Sequence, residues 1–159
     1  MDTLFNSSFG LKLTPEAVAE ELVRFMQADK KRSYKIVIGS DSERVNDKMA
    51  DFVVAVVVHR VGNGGRYFWR RTEINRFWTL HDRIIQEVMI SLDTAKEILG
   101  KLKDLAVPHF DFEIHADIGE KGDTKSMIQE VVGMIRANNF EPKTKPDSYA
   151  ATKVADRHT

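Results

Sequence analysis

The chain has 159 residues, enough for one domain with a sizeable core and too few for two comfortable ones, so residues 1–159 are expected to form a single domain. Lys+Arg and Asp+Glu both number 24, which leaves no global basic field for tight non-specific binding of DNA but allows a local patch. Cysteine is absent, which excludes disulfides, thiolate catalysis and cysteine-based zinc sites. No apolar run is long enough to span a bilayer. The opening MDTLFNSSFG lacks the basic start and apolar stretch of a signal peptide, so a cytoplasmic protein is expected.

The first expected element is a helix from Thr14 to about Ala28. Thr14 suits the N-cap and Pro15 the first helical position, and Val18, Leu22, Phe25 and Met26 form an apolar stripe. Lys30-Lys31-Arg32 reads as a solvated loop before a strand. The period then changes. Tyr34 to Ser40 is a short strand, and Asp51 to Val61 holds FVVAVVVH, a run with no polar face that predicts a strand covered on both sides. Gly62 to Gly65 makes a hairpin turn and Arg66 to Ile74 the returning strand.

A long helix over Trp78 to about Lys103 follows, with Leu80, Ile84, Val88, Leu92, Ala95, Leu99 and Leu102 on one face. HFDFEIHAD alternates as a strand with one apolar face. Asp123 or Thr124 then caps a helix carrying Ile128, Val131, Val132 and Ile135. EPKTK is a weak strand held to an edge by Pro142, and Ser148 to Asp156 is a short helix. The expected fold is α/β: a mixed five-stranded sheet, an antiparallel meander of three strands followed by two parallel ones, flanked by helices and preceded by an extra helix.

The acids fall at suggestive places. Asp41 ends the first strand of this sheet, in IVIGSDS, and Asp117 ends the fourth, after EIHA. Parallel neighbours put their carboxyl ends at one edge, where ligands bind. Glu87 lies beside the apolar stripe of the long helix, and Asp147 stands just before the last one. Carboxylates gathered at one edge repel, so one pKa should rise unless a cation sits there. Oxygen ligands suit Mg²⁺ or Mn²⁺, and two such ions, roughly 3.5–4 Å apart, serve phosphodiester displacement. Each acid also has a structural reading: Asp41 as a turn cap, Glu87 paired to Arg83, Asp117 as a loop acid, Asp147 as an N-cap.

IGSDS, RIIQEVMISL, HADIGEKGDTK and KPDSYAATKVADRHT resemble a bacterial ribonuclease H-like family of unassigned function, the Bacillus YkuK type, within the ribonuclease H superfamily. KPDSYAATKVADR is also similar to a segment of ribonuclease HII. The resemblance implies that Asp41 bridges two metal ions, that Glu87 and Asp117 are the helix glutamate and fourth-strand aspartate, and that Asp147 is the fourth acid, with Asp156 as the alternative. It implies a metal-dependent nuclease acting on RNA, an RNA–DNA hybrid or structured nucleic acid. The superfamily also holds members without catalysis, so a nucleic-acid- or protein-binding module and a metal-dependent phosphatase or phosphotransferase stand as competitors.

Other residues carry weaker signals. His115 shares a strand face with Asp117 and is either a proton shuttle beside the site or a structural histidine. His158 lies close to the site motif. Lys121, in GEKG, is placed to meet a phosphate, although two glycines do not make a phosphate-binding loop. Arg66, Arg70, Arg71 and Arg76 are interleaved with Tyr67, Phe68, Trp69, Phe77 and Trp78. That pattern reads either as a nucleic-acid groove or, in preference, as an edge strand blunted by arginines. The same edge suits contact with a second copy in a homodimer.

Overall fold

The computed structural model describes residues 4–72, 75–148, 154–155 and 158. In chain order the elements are β1 (Phe5–Ser7), β2 (Lys12–Leu13), α1 (Pro15–Gln27), β3 (Tyr34–Arg44), β4 (Met49–Arg60), β5 (Gly65–Arg71), β6 (Asn75–Arg76), α2 (Leu80–Leu102), β7 (Asp111–His115), α3 (Ile128–Ala137) and β8 (Glu141–Lys143). The strands form one sheet in the order β2-β1-β5-β4-β3-β7-β8, with β6 pairing β4. The expected meander is β3, β4 and β5. Strand β7 joins β3 in parallel and β8 joins β7 in parallel, which is the expected mixed five-stranded core.

Three strands extend that core. β1 and β2 form a hairpin, and β1 pairs β5 through Asn6↔Trp69 and Ser7↔Phe68. β5 is therefore not the sheet edge that its arginines suggested, because the N-terminal hairpin covers it. β6 is the short remnant of the strand expected to run on to Ile74: β5 stops at Arg71, and Asn75–Arg76 pairs instead with the start of β4.

Helix starts follow local chemistry. The Thr14 hydroxyl accepts from the Ala17 N–H, and the Thr79 hydroxyl accepts from the Asp82 N–H, each filling a backbone donor that the first turn leaves unpaired. The third helix begins later than Asp123 or Thr124 implied. A 3₁₀ turn over Lys125–Met127 precedes it, and Thr124 makes no side-chain cap bond. Of the helix expected over Ser148–Asp156, Ser148 is described and is not helical, and Val154 and Ala155 are described and are helical.

Alternation along β3 sorts the core. Ile36 and Ile38 point to the face covered by the helices, where they join Leu22, Met26, Val54, Leu92, Ile98, Ile114 and Ile135. Val37 points to the other face and packs with Val53, Ala55 and Ala155. Both faces of β4 are thus covered, as its unbroken apolar run requires. Each of these fully buried aliphatic side chains contributes roughly 1.5–3 kcal/mol of transfer free energy, which fixes the register of the strand that carries Asp41.

Candidate active site

β3 and α2 run antiparallel against each other with matched steps. Two residues along a strand advance about 6.6 Å, and four along a helix about 6 Å. Ser40 meets Ser91, with their hydroxyl oxygens 2.6 Å apart. Ser42 Oγ donates to Glu87 Oε2 at 2.5 Å. Arg44 and Arg83, the next residues in each series, both lie over the Phe77 ring, at 5.9 and 5.5 Å. This ladder holds Glu87 at the seam between helix and sheet, where it is 6% exposed.

Burial pushes the Glu87 carboxyl up to about 8, and the charges of Asp41 and Asp117 push in the same direction against the Ser42 hydrogen bond and the Arg83 charge. The like-charge conflict expected at the sheet edge therefore falls on Glu87. Asp41 does not end its strand as expected: β3 runs on to Arg44 in its pairing with β4, and Asp41 lies within it opposite Val53, one residue before Ser42. Asp117 follows the last parallel pair, Gly39↔His115, by two residues. Asp41 and Asp117 are thus equally far past that pair on adjoining strands. Asp117 Oδ1 is held by Lys145 Nζ at 2.9 Å.

Lys145 reaches Asp117 because Gly119 lets it. A Cβ on Gly119 would stand 2.8 Å from the Lys145 Cβ, and the Lys145 N–H donates to the Ile118 carbonyl at 2.7 Å. Lys121 is exposed and, with Gly119, Lys145 and Pro146, lines a cleft of about 480 Å³ beside this ion pair.

Of the remaining candidates, His115 borders a small cavity that Glu87 and Asp117 also line, whereas Asp147 does not. Asp147 is exposed and lines a different cleft with Lys35, His59, Glu113 and His115. Asp156 lies outside the described residues. His115 is buried, and its Nε2 lies 3.0 Å from Glu113 Oε1, which in turn shares a carboxylate with Lys35 Nζ at 3.2 Å. Burial holds the His115 imidazole below its usual range, against the pull of Glu113. Arg70 is buried, pairs with Glu97 at 2.8 Å and lies over the Phe5 ring. Arg71 pairs with Asp51 at 3.0 Å and donates to the His158 carbonyl. The His158 ring stacks on Trp69. Arg66 lies over Phe9 and Phe25, and Arg76 over Trp78.

Sequence reasoning named Asp41, Glu87 and Asp117 but not Ser42 or Lys145. Ser42 was open to discovery from its parity with Ser40 on the helix-facing side of the strand. Lys145 carried no signal, since its contact depends on a chain segment folding back past Gly119. Among the described residues, no group of three or more His, Asp or Glu side chains is placed to hold a metal ion.

A buried glutamate on the first helix after an antiparallel meander, with an aspartate two residues past the last parallel pair on each of two adjoining chain segments, defines a ribonuclease H-like protein. The ribonuclease H-like family model matches residues 17–159, and the chain belongs to that family. It is also similar to the uncharacterized protein YkuK of Bacillus subtilis (strain 168), with 36% identity over 167 aligned positions, covering 98% of this chain and 96% of that one. Among the described residues, no helix is long and apolar enough to cross a membrane.

Proposed function

We propose that this protein is a metal-dependent nuclease that hydrolyses phosphodiester bonds of RNA, an RNA–DNA hybrid or structured nucleic acid. The observation that carries the reading is Glu87: a carboxyl that burial, reinforced by the charges of Asp41 and Asp117, pushes up to about 8, those two aspartates standing two residues past the last parallel pair on adjoining strands. Perturbed acids at such a place are what a catalytic site requires.

The donor set fits Mg²⁺ or Mn²⁺ in kind, being all carboxylate oxygen. As placed, the described carboxylates form no metal-holding group, so Asp41, Glu87 and Asp117 would have to draw together to hold two ions, with Asp147 or Asp156 as the further acid. Such ions supply a water acidic enough to attack at neutral pH and take charge from the leaving oxygen. Ser42 orients the Glu87 carboxylate and Arg83 favours its ionised form. Lys145 occupies the cationic partner's place on Asp117 and has to yield it for that aspartate to act as a ligand.

That same ion pair favours a second reading, a ribonuclease H-fold module that binds nucleic acid without cutting it. Lys145 there neutralises Asp117 permanently. End-labelled RNA, DNA and hybrid incubated with Mg²⁺ or Mn²⁺ separate the two. The nuclease reading expects cleavage that EDTA stops and that Asp41→Asn and Asp117→Asn abolish. Cleavage that survives both substitutions in a contaminant-free preparation, or is absent with either ion, defeats it.

A further inference from the structure

Beside the carboxylates lies a patch that the fold reading leaves unused. β6 zips onto the start of β4 through Met49↔Arg76 and Ala50↔Asn75, and the Phe77 N–H donates to the Lys48 carbonyl. This brings Phe77 and Trp78 against the β3–β4 hairpin and the first turns of α2. Arg44 and Arg83 lie over Phe77, which is buried, and Arg76 lies over Trp78 at 5.0 Å. Trp78 itself is 71% exposed. Three guanidinium groups thus ring two aromatic side chains, one of them open to solvent.

The patch is contiguous with the site. Arg44 is three residues beyond Asp41 on β3, about 10 Å along a strand. Arg83 is one helical turn before Glu87, about 6 Å, and its charge acts on that carboxyl. The chain's other tryptophan is spoken for: Trp69 stacks on His158 with ring centres 4.1 Å apart.

We infer that Arg44, Arg76, Arg83 and Trp78 form the binding surface for an unpaired stretch of nucleic acid, with a base stacked on Trp78 and its phosphates on the guanidinium groups. Charge complementarity selects a polyanion. The indole selects an unpaired base, because a duplex keeps its base faces stacked inside. The Arg44–Asp47 pair is exposed, and a phosphate competes for Arg44 at little cost. From this surface the strand runs toward Asp41 and Glu87 within a few nucleotides. The inference rests on the nucleic-acid reading above and gives it a substrate form and an entry point.

The test is fluorescence anisotropy of a labelled single-stranded oligonucleotide and of its duplex, in EDTA so that no cleavage intervenes. Wild type, Trp78→Ala, Trp78→Phe and Arg76→Ala are compared, with circular dichroism to verify folding. The wild type is expected to prefer the single strand. Trp78→Ala weakens it at least about fivefold and Trp78→Phe restores most of the loss. Arg76→Ala lowers the slope of log affinity against log salt by about one. Equal binding by Trp78→Ala, equal affinity for the duplex, or no binding by the wild type overturns the inference. Intact Trp78-dependent binding without metal-dependent cleavage upholds this surface and defeats the catalytic reading alone.

Discussion

Ser42 Oγ donates to Glu87 Oε2 at 2.5 Å, and with the Ser40–Ser91 contact beside it this bond ties the strand of Asp41 to the helix of Glu87. It is the polar partner that a carboxyl buried to 6% exposure requires. Ser42→Ala removes it and leaves Glu87 to burial and to its like-charged neighbours. The variant is expected to lose about 1–3 kcal/mol in urea unfolding at neutral pH. The Glu87 carboxyl should titrate higher than in wild type by carbon-13 NMR.

Glu87 also sets a pH dependence. Its folded pKa, about 8, stands above the unfolded value of 4.5. The folded state therefore binds more protons between those values, and stability falls as pH rises through that window. Glu87→Gln removes the dependence. It is expected to be more stable than wild type by a few kcal/mol above pH 8, with little difference near pH 4. Urea midpoints at both ends check this, and a wild-type curve that rises from pH 5 to 8 while the variant stays flat contradicts it.

Metal binding on the nuclease reading must expel the Glu87 proton and displace Lys145 from Asp117. The affinity for Mn²⁺ is expected to rise with pH up to about 8, with about one proton released per Glu87 ionised. Lys145→Ala should bind the ion more tightly and Asp41→Asn should lose it. Calorimetry in two buffers of different ionisation enthalpy reads both quantities. In thermal melts the same ion should raise the wild-type midpoint and leave that of Asp41→Asn unmoved.

Arg70 offers a contrast within the arginine-rich stretch. It is 5% exposed, pairs with Glu97 and covers Phe5, so its removal strands a carboxylate and opens the core. Arg70→Ala is expected to cost about 2–4 kcal/mol in chemical denaturation. It should leave the salt dependence of nucleic-acid binding unchanged, whereas Arg76→Ala changes it.

On the far face, Glu113 is held between the Lys35 ammonium and the His115 imidazole. Burial raises the Glu113 carboxyl, but the bonds from His115 and Lys35 outweigh it and hold the pKa low. Its stabilising share is present above the unfolded pKa of 4.5 and is lost as pH falls below it. Glu113→Gln should therefore be about 1–3 kcal/mol less stable than wild type at pH 7, with the gap closing below pH 4. Denaturation at the two pH values decides the matter.

Much of the fold was legible because burial writes periodicity. FVVAVVVH could only be a strand with two covered faces, and the Thr14-Pro15 start declares its helix locally, whereas the Thr79 cap was passed over and the helix it opens was expected from Trp78. Glu87 was legible as a helix residue bordering an apolar stripe. β1, β2 and β6 were not, because elements of two or three residues are too short to show a period. Their partners, Phe68, Trp69 and Met49, lie far off in sequence. Arg70 escaped for a similar reason: nothing near it announces Glu97 or Phe5. The Asp117–Lys145 contact depends on chain reversal past Gly119, and no spacing encodes it.

β3 is held along its length by β4 and over Lys35 to Gly39 by β7 as well, whereas β6 is tied to the sheet by two residues. Amide hydrogens around Asp41 should thus exchange only when the whole domain opens, while those of the segment bearing Trp78 should exchange through local fraying. The carboxylates keep their geometry through partial openings that loosen the neighbouring aromatic patch. A strand threading past can be gripped and released many times without disturbing the place where it would be cut.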